Sequence, residues 1–131
     1  MPELRRILCV EDDPDIRTVL GWSLANIGGF TLHMCASGEA ALREIEAFAP
    51  DMLVLDVMMP GLSGPQTLLL LRERGLLGAA VVVFLTAKAM PDELEALTSH
   101  QSTGIIVKPF DPMALPAALK LYWHHGSQAA R

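Results

Sequence analysis

Short apolar runs alternate along this chain with stretches whose apolar residues recur every three or four positions. The runs at 6–10, 30–35, 51–56, 80–85 and 104–107 read as strands, most of them apolar on both faces. Between the first two, Asp13 followed by Pro14 predicts an N-cap with proline at the first helical position. Ile16, Val19, Leu20, Leu24 and Ile27 then give a helical stripe, closed by Gly28 and Gly29, which tolerate positive φ. Ser37 opens a second helix with Ala40, Ala41, Ile45 and Phe48 inward. Ser63 with Gln66 three residues on forms a capping box for a third, running from Pro65 to Arg74.

Pro91, Asp92 and Glu93 predict a fourth helix that fades near His100, its acidic first turn favouring the dipole. Asp111 and Pro112 repeat the cap-plus-proline signal for a last helix through Leu115, Leu119 and Tyr122 to about His124. Five strands alternating with five helices predict an α/β fold, a doubly wound five-stranded parallel sheet covered by helices on both faces. One domain over residues 4–124 is expected, with 125–131 a frayed tail or linker stub.

Composition narrows the function classes. Half the 131 residues are apolar, and a net charge of −5 argues against a sequence-independent grip on nucleic acid. No apolar run approaches the ~20 residues that span a bilayer, and the start is unlike a secretory signal, so a cytoplasmic protein without membrane contact is expected. Cys9 and Cys35 both lie in apolar runs, as reduced core thiols would. His33, His100, His124 and His125 lack metal-like spacing with Cys or acidic partners and read as surface residues. Leu68 to Leu71 occupy consecutive positions and cannot all face one core, so one or two should be exposed.

Asp56 ends an apolar run, where a carboxylate loses hydration unless something compensates. In a doubly wound sheet ligands gather at the carboxyl ends of the strands. Those ends carry Glu11 and Asp12, then Asp56, Thr86 and Lys108. Three carboxylates together need protons, a cation or the lysine, and oxygen-only donors favour Mg²⁺ over Ca²⁺. A metal and an ammonium group beside Asp56 make a phosphoryl site in which Asp56 is the nucleophile and Thr86 and the Ala87 amide donate hydrogen bonds. The product is an aspartyl phosphate.

Four motifs carry a family resemblance: Ile7-Leu8-Cys9-Val10-Glu11-Asp12-Asp13, then Leu55-Asp56-Val57-Met58-Met59-Pro60-Gly61, Leu85-Thr86-Ala87, and Val107-Lys108-Pro109-Phe110. In this order the chain resembles a CheY-like response-regulator receiver domain of two-component signalling, over residues 4–123. The resemblance implies a flavodoxin-like sandwich with strand order 2-1-3-4-5. It also implies Mg²⁺ on Glu11, Asp12, Asp56 and the Met58 backbone carbonyl, with Asp12 the direct acidic ligand. Asp56 would take phosphate from a sensor histidine kinase or phosphotransfer protein, Thr86 would be the switch hydroxyl, and Lys108 would bind the phosphoryl group ahead of a cis bond to Pro109. The charge would repack the face between fourth and fifth helices, for a downstream protein partner or a homodimer.

Three departures stand out: Ile105 where the family usually has Tyr or Phe, and Gln101 and Ser102 where it usually has Gly-Ala. They leave the chemistry intact and alter the switch, so a docking module with weak or no phosphorylation switching is the alternative. A fragment of a larger regulator or hybrid kinase is another. Bulky Met58 and Lys88 are expected to slow self-dephosphorylation. The chain is not expected to turn over an external substrate: a dehalogenase-like phosphatase wants a second aspartate where Met58 stands. A nucleotide site is disfavoured because Glu11-Asp12-Asp13-Pro14 has no glycine cradle.

Overall fold

Strand β1 (Arg6–Val10) is fully buried from Ile7 onward, as a run that is apolar on both faces requires. It pairs in parallel with β2 (Thr31–Cys35) on one side and β3 (Met52–Asp56) on the other. β4 (Val81–Thr86) and β5 (Gly104–Val107) extend the sheet, giving the order β2-β1-β3-β4-β5. The computed structural model describes residues 3–87 and 104–129.

Strand alternation divides the core into two layers. Ile7, Cys9 and Val54 face α1 (Pro14–Gly21) and the C-terminal helix (Leu115–Ala129), packing with Leu20, Leu24 and Leu119. Leu8, Val10 and Leu55 face α2 (Gly38–Phe48) and α3 (Gly64–Glu73), packing with Ile45, Leu68 and Leu71. Each fully buried leucine contributes about 2 kcal/mol of apolar burial. Within the leucine run of α3, Leu69 is exposed. Ser63 and Gln66 form the expected reciprocal capping box. Both cysteines are free and buried.

Three elements differ in detail from their sequence patterns. The first helix is α-helical only to Gly21 and continues as a π-helical stretch, Trp22–Ile27, in which the Gly28 amide donates to the Ser23 carbonyl five residues back. Leu20 and Leu24 are buried, Val19 before the wider turn is more than a third exposed, and the rotation of the stripe within that turn leaves Ile27 exposed to a similar extent. Gly29, not Gly28, takes the positive φ. Strand β4 includes Thr86.

The last helix begins at Leu115, after a turn in which the Asp111 carboxylate accepts from the Met113 amide and the Asp111 carbonyl accepts from Ala114 and Leu115. Pro112 therefore sits in that turn and not at the first helical position. The helix runs to Ala129, past the expected end near His124, because no proline interrupts it. The predicted fourth helix, with Lys88, His100, Gln101 and Ser102, lies outside the described residues.

Candidate functional site

The parallel register brings the strand ends to one edge: Val10 pairs with Leu55, Asp56 with Leu85, and Thr86 with Val107. Glu11 follows β1, Asp56 ends β3, Thr86 ends β4 and Lys108 follows β5. Hydrogen bonds continue past the strands, from the Glu11 amide to the Cys35 carbonyl (3.0 Å) and from the Lys108 amide to the Thr86 carbonyl (2.8 Å). Local sequence thus sets the four chain exits, and the sheet gathers them.

Glu11 is completely buried and Asp56 is 3% exposed. One carboxylate oxygen from each of Glu11, Asp12 and Asp56 lies within 4.8 Å of the others. Lys108 Nζ reaches both buried acids, at 2.5 Å from Glu11 Oε1 and 3.2 Å from Asp56 Oδ1. The bond from Lys108 to Pro109 is cis. Thr86 is buried beside them at the β4 end.

The electrostatics follow from this crowding. Burial pushes the Asp56 carboxyl up to about 7, helped by its hydrogen bond with Glu11 and the charge there, against the Lys108 ammonium. Burial pulls Lys108 down, but the Glu11 hydrogen bond and the charges of Asp56 and Glu11 outweigh it and hold the amine above its usual range. One ammonium does not neutralise three acids. The remaining negative charge, on hard oxygen donors, fits a small divalent cation.

Two supporting residues carry no motif signal. Arg17, one turn into α1, donates from Nη1 to the carbonyls of Glu11 (2.9 Å) and Asp12 (2.8 Å) and so fixes the acidic loop. Gly64 begins α3 against Asp56, where an added Cβ would collide with the Asp56 backbone oxygen. Asp13 stands apart as expected: its carboxylate caps α1 through the amides of Asp15 and Ile16, at 2.8 and 3.4 Å. The Asp13 amide in turn donates to Glu11 Oε2 at 3.1 Å.

The family model for the response regulator receiver domain matches residues 7–120. The chain belongs to that family. The receiver is 31% identical to the response regulator Rre1 of Synechocystis over 92% of this chain and 52% of the relative. It is also 31% identical to the alkaline phosphatase synthesis transcriptional regulatory protein PhoP of Bacillus subtilis, over 96% of this chain and 51% of that protein. The receiver therefore spans about half the length of these curated relatives. Among solved structures, the chemotaxis protein CheY4 of Vibrio cholerae superposes with a TM-score of 0.83 at 25% identity, covering 91% of this chain and 98% of that one.

Of the histidines expected at the surface, His124 and His125 are exposed, but His33 is not free. Its Nε2 lies 2.6 Å from Glu44 Oε1, and its ring packs on Phe48 with centroids 5.2 Å apart. The signal was present in the strand period, since His33 and Cys35 share one face of β2, but Glu44 on the next helix is invisible to local spacing. No helix among the described residues is long and apolar enough to cross a membrane.

Proposed function

We propose that this receiver accepts a phosphoryl group on Asp56 from the phosphohistidine of a sensor histidine kinase or phosphotransfer protein. The observation that carries the reading is the position of Asp56, nearly buried at the end of β3 and flanked by Lys108 Nζ at 3.2 Å and by Glu11 and Asp12. A lone buried carboxylate is a weak nucleophile for a charged donor, because like charges repel. Lys108 offsets that repulsion and would hold an oxygen of the incoming group.

Glu11, Asp12, Asp56 and the Met58 backbone carbonyl would hold Mg²⁺, whose charge neutralises phosphoryl oxygens when it is bound. Asp56 attacks phosphorus through a carboxylate oxygen, the phosphorus–nitrogen bond of the donor breaks, and its imidazole leaves with that electron pair. Thr86 and the Ala87 amide would then donate to the new oxygens, drawing the loop after β4 toward the site. Beside the mouth, a cavity of about 460 Å³ lined by Ile16, Val19, Lys108, Pro109 and Phe110 is suited to a donor helix.

The output is a changed protein-binding surface, read by a downstream partner or a second copy. Several relatives bear transcriptional names, and one, MtrA of Mycolicibacterium smegmatis, is called DNA-binding; each is about twice as long as the matched part. Any nucleic-acid contact is therefore assigned to segments outside this receiver. Ile105 supports a second reading, a docking module with weak switching. It is partly buried against the α3-side core, as an aliphatic side chain in place of the family's usual aromatic ring.

Incubation with acetyl phosphate or beryllofluoride, with and without Mg²⁺, tests the proposal. Modification mapping to Asp56, dependent on Mg²⁺ and abolished in Asp56→Asn, is expected. An unmodified protein favours the docking module, and continuous phosphate release from small substrates would mean an enzyme.

A further inference from the structure

At the opposite edge of the sheet from β5, the outward strand β2 and helix α2 place an imidazole, a thiol and a carboxylate together. One ligand atom from each of His33, Cys35 and Glu44 lies within 4.8 Å of the others, with 2.6 Å from His33 Nε2 to Glu44 Oε1 and 4.0 Å from Cys35 Sγ to the same oxygen. We propose that these three side chains form a binding site for a borderline divalent transition metal, Zn²⁺ being the best match, separate from the acidic pocket.

The donor set decides the metal class. Nitrogen, sulfur and one carboxylate oxygen suit Zn²⁺, whereas Mg²⁺ takes oxygen and water. With Zn–N and Zn–O bonds of about 2.0 Å and Zn–S of about 2.3 Å, tetrahedral ligands sit roughly 3.3 Å (N to O) and 3.5 Å (S to O) apart. The observed 2.6 and 4.0 Å lie on either side of those values, so seating the ion asks Glu44 to draw away from His33 and toward Cys35. It can do so, because the side chains of His33 and Glu44 are 37% and 40% exposed. That exposure also leaves a fourth position for water.

The environment is prepared on the remaining sides. Cys35 is 2% exposed, and the polar partner of its sulfur among the described residues is Glu44 alone, at 4.0 Å. The His33 ring is backed by Phe48, which in turn carries the Arg6 guanidinium 4.2 Å above its face. Cys9, the other thiol, belongs to the opposite core layer and cannot join. On binding, the Cys35 proton leaves to solvent, and the neutral His33 ring offers an unprotonated Nε2 with its one N–H proton on Nδ1. Sulfur, nitrogen and oxygen lone pairs then fill the metal's empty positions, with no change of oxidation state.

The test is titration of the reduced full chain with Zn²⁺, and with Co²⁺ as a coloured stand-in, in saturating Mg²⁺. One equivalent should bind, Co²⁺ should show thiolate-to-metal charge-transfer absorption, and His33→Gln and Cys35→Ala should each weaken affinity by roughly tenfold or more. Asp12→Asn should leave this binding unchanged. His33→Gln alters a half-exposed side chain, so it remains informative if Cys35→Ala unfolds the core. Absence of the thiolate band, binding indifferent to His33→Gln, or binding lost in Asp12→Asn would each overturn the site.

Discussion

Lys108 Nζ approaches Glu11 Oε1 more closely (2.5 Å) than Asp56 Oδ1 (3.2 Å), so this lysine is held chiefly by Glu11 and only secondarily by Asp56. Lys108→Met should therefore leave two buried acids facing each other. In chelator at pH 8 we expect a loss of about 3 kcal/mol in denaturant unfolding. At pH 5, where a proton on Asp56 takes over part of the lysine's work, the loss should be smaller. Equal losses at both pH values would contradict the arrangement.

Asp56 binds its proton more tightly in the folded chain, where it titrates near 7, than in the unfolded chain, where the ordinary value is 3.8. The metal-free protein should be most stable below that window and lose stability as pH rises through it. Asp56→Asn should flatten this slope and, at pH 8 without metal, raise stability by on the order of 2 kcal/mol. Mg²⁺ competes with the same proton, so its affinity should climb between pH 5 and 8. Paired melting and titration series would check both trends.

Gly64→Ala places a Cβ on the backbone oxygen of Asp56. Because backbone cannot swing aside as a side chain would, α3 must shift, at a cost of roughly 1–3 kcal/mol. Phosphorylation should slow as well, since the Asp56 carboxylate moves with its main chain. Thermal melting and a rate measurement with acetyl phosphate are sufficient.

Tyr122 Oη donates to the Ile105 carbonyl at 3.2 Å, and its ring covers Gly104. The C-terminal helix thus supplies an aromatic group to the strand whose own position, Ile105, lacks one. Tyr122→Phe should cost about 1 kcal/mol while leaving Mg²⁺ binding as it is. Faster amide exchange confined to β5 and its neighbours would be its signature.

Met58 is 62% exposed, two residues beyond Asp56. We expect Met58→Asn to shorten the aspartyl phosphate lifetime, since an amide can orient the hydrolytic water that a thioether excludes. An unchanged decay rate would remove Met58 from that role.

Much of this was legible because the signals were local. The cap at Asp13, the Ser63–Gln66 box and the apolar strands each lie within a few residues, and parallel strands on a doubly wound sheet gather their ends without further information. Groups that act across the fold left no such trace. Arg17 is an ordinary surface arginine until the acidic loop folds back over α1, and Glu44 becomes a partner of His33 only once α2 packs on the sheet edge. The π-helical turn was hidden for another reason: its extra residue per turn shifts the stripe too little to break the apolar pattern, yet enough to leave Ile27 partly exposed.

Arg17 grips the carbonyls of Glu11 and Asp12, while the Asp13 amide holds the far oxygen of Glu11. A loop braced from both sides would resist spreading to the seven or eight longer bonds a large ion wants. The pocket would thus act as a caliper, sorting cations by radius before charge is considered. Loosening the brace with Arg17→Ala would let the jaws open, and the larger alkaline-earth ions should gain ground on the smaller.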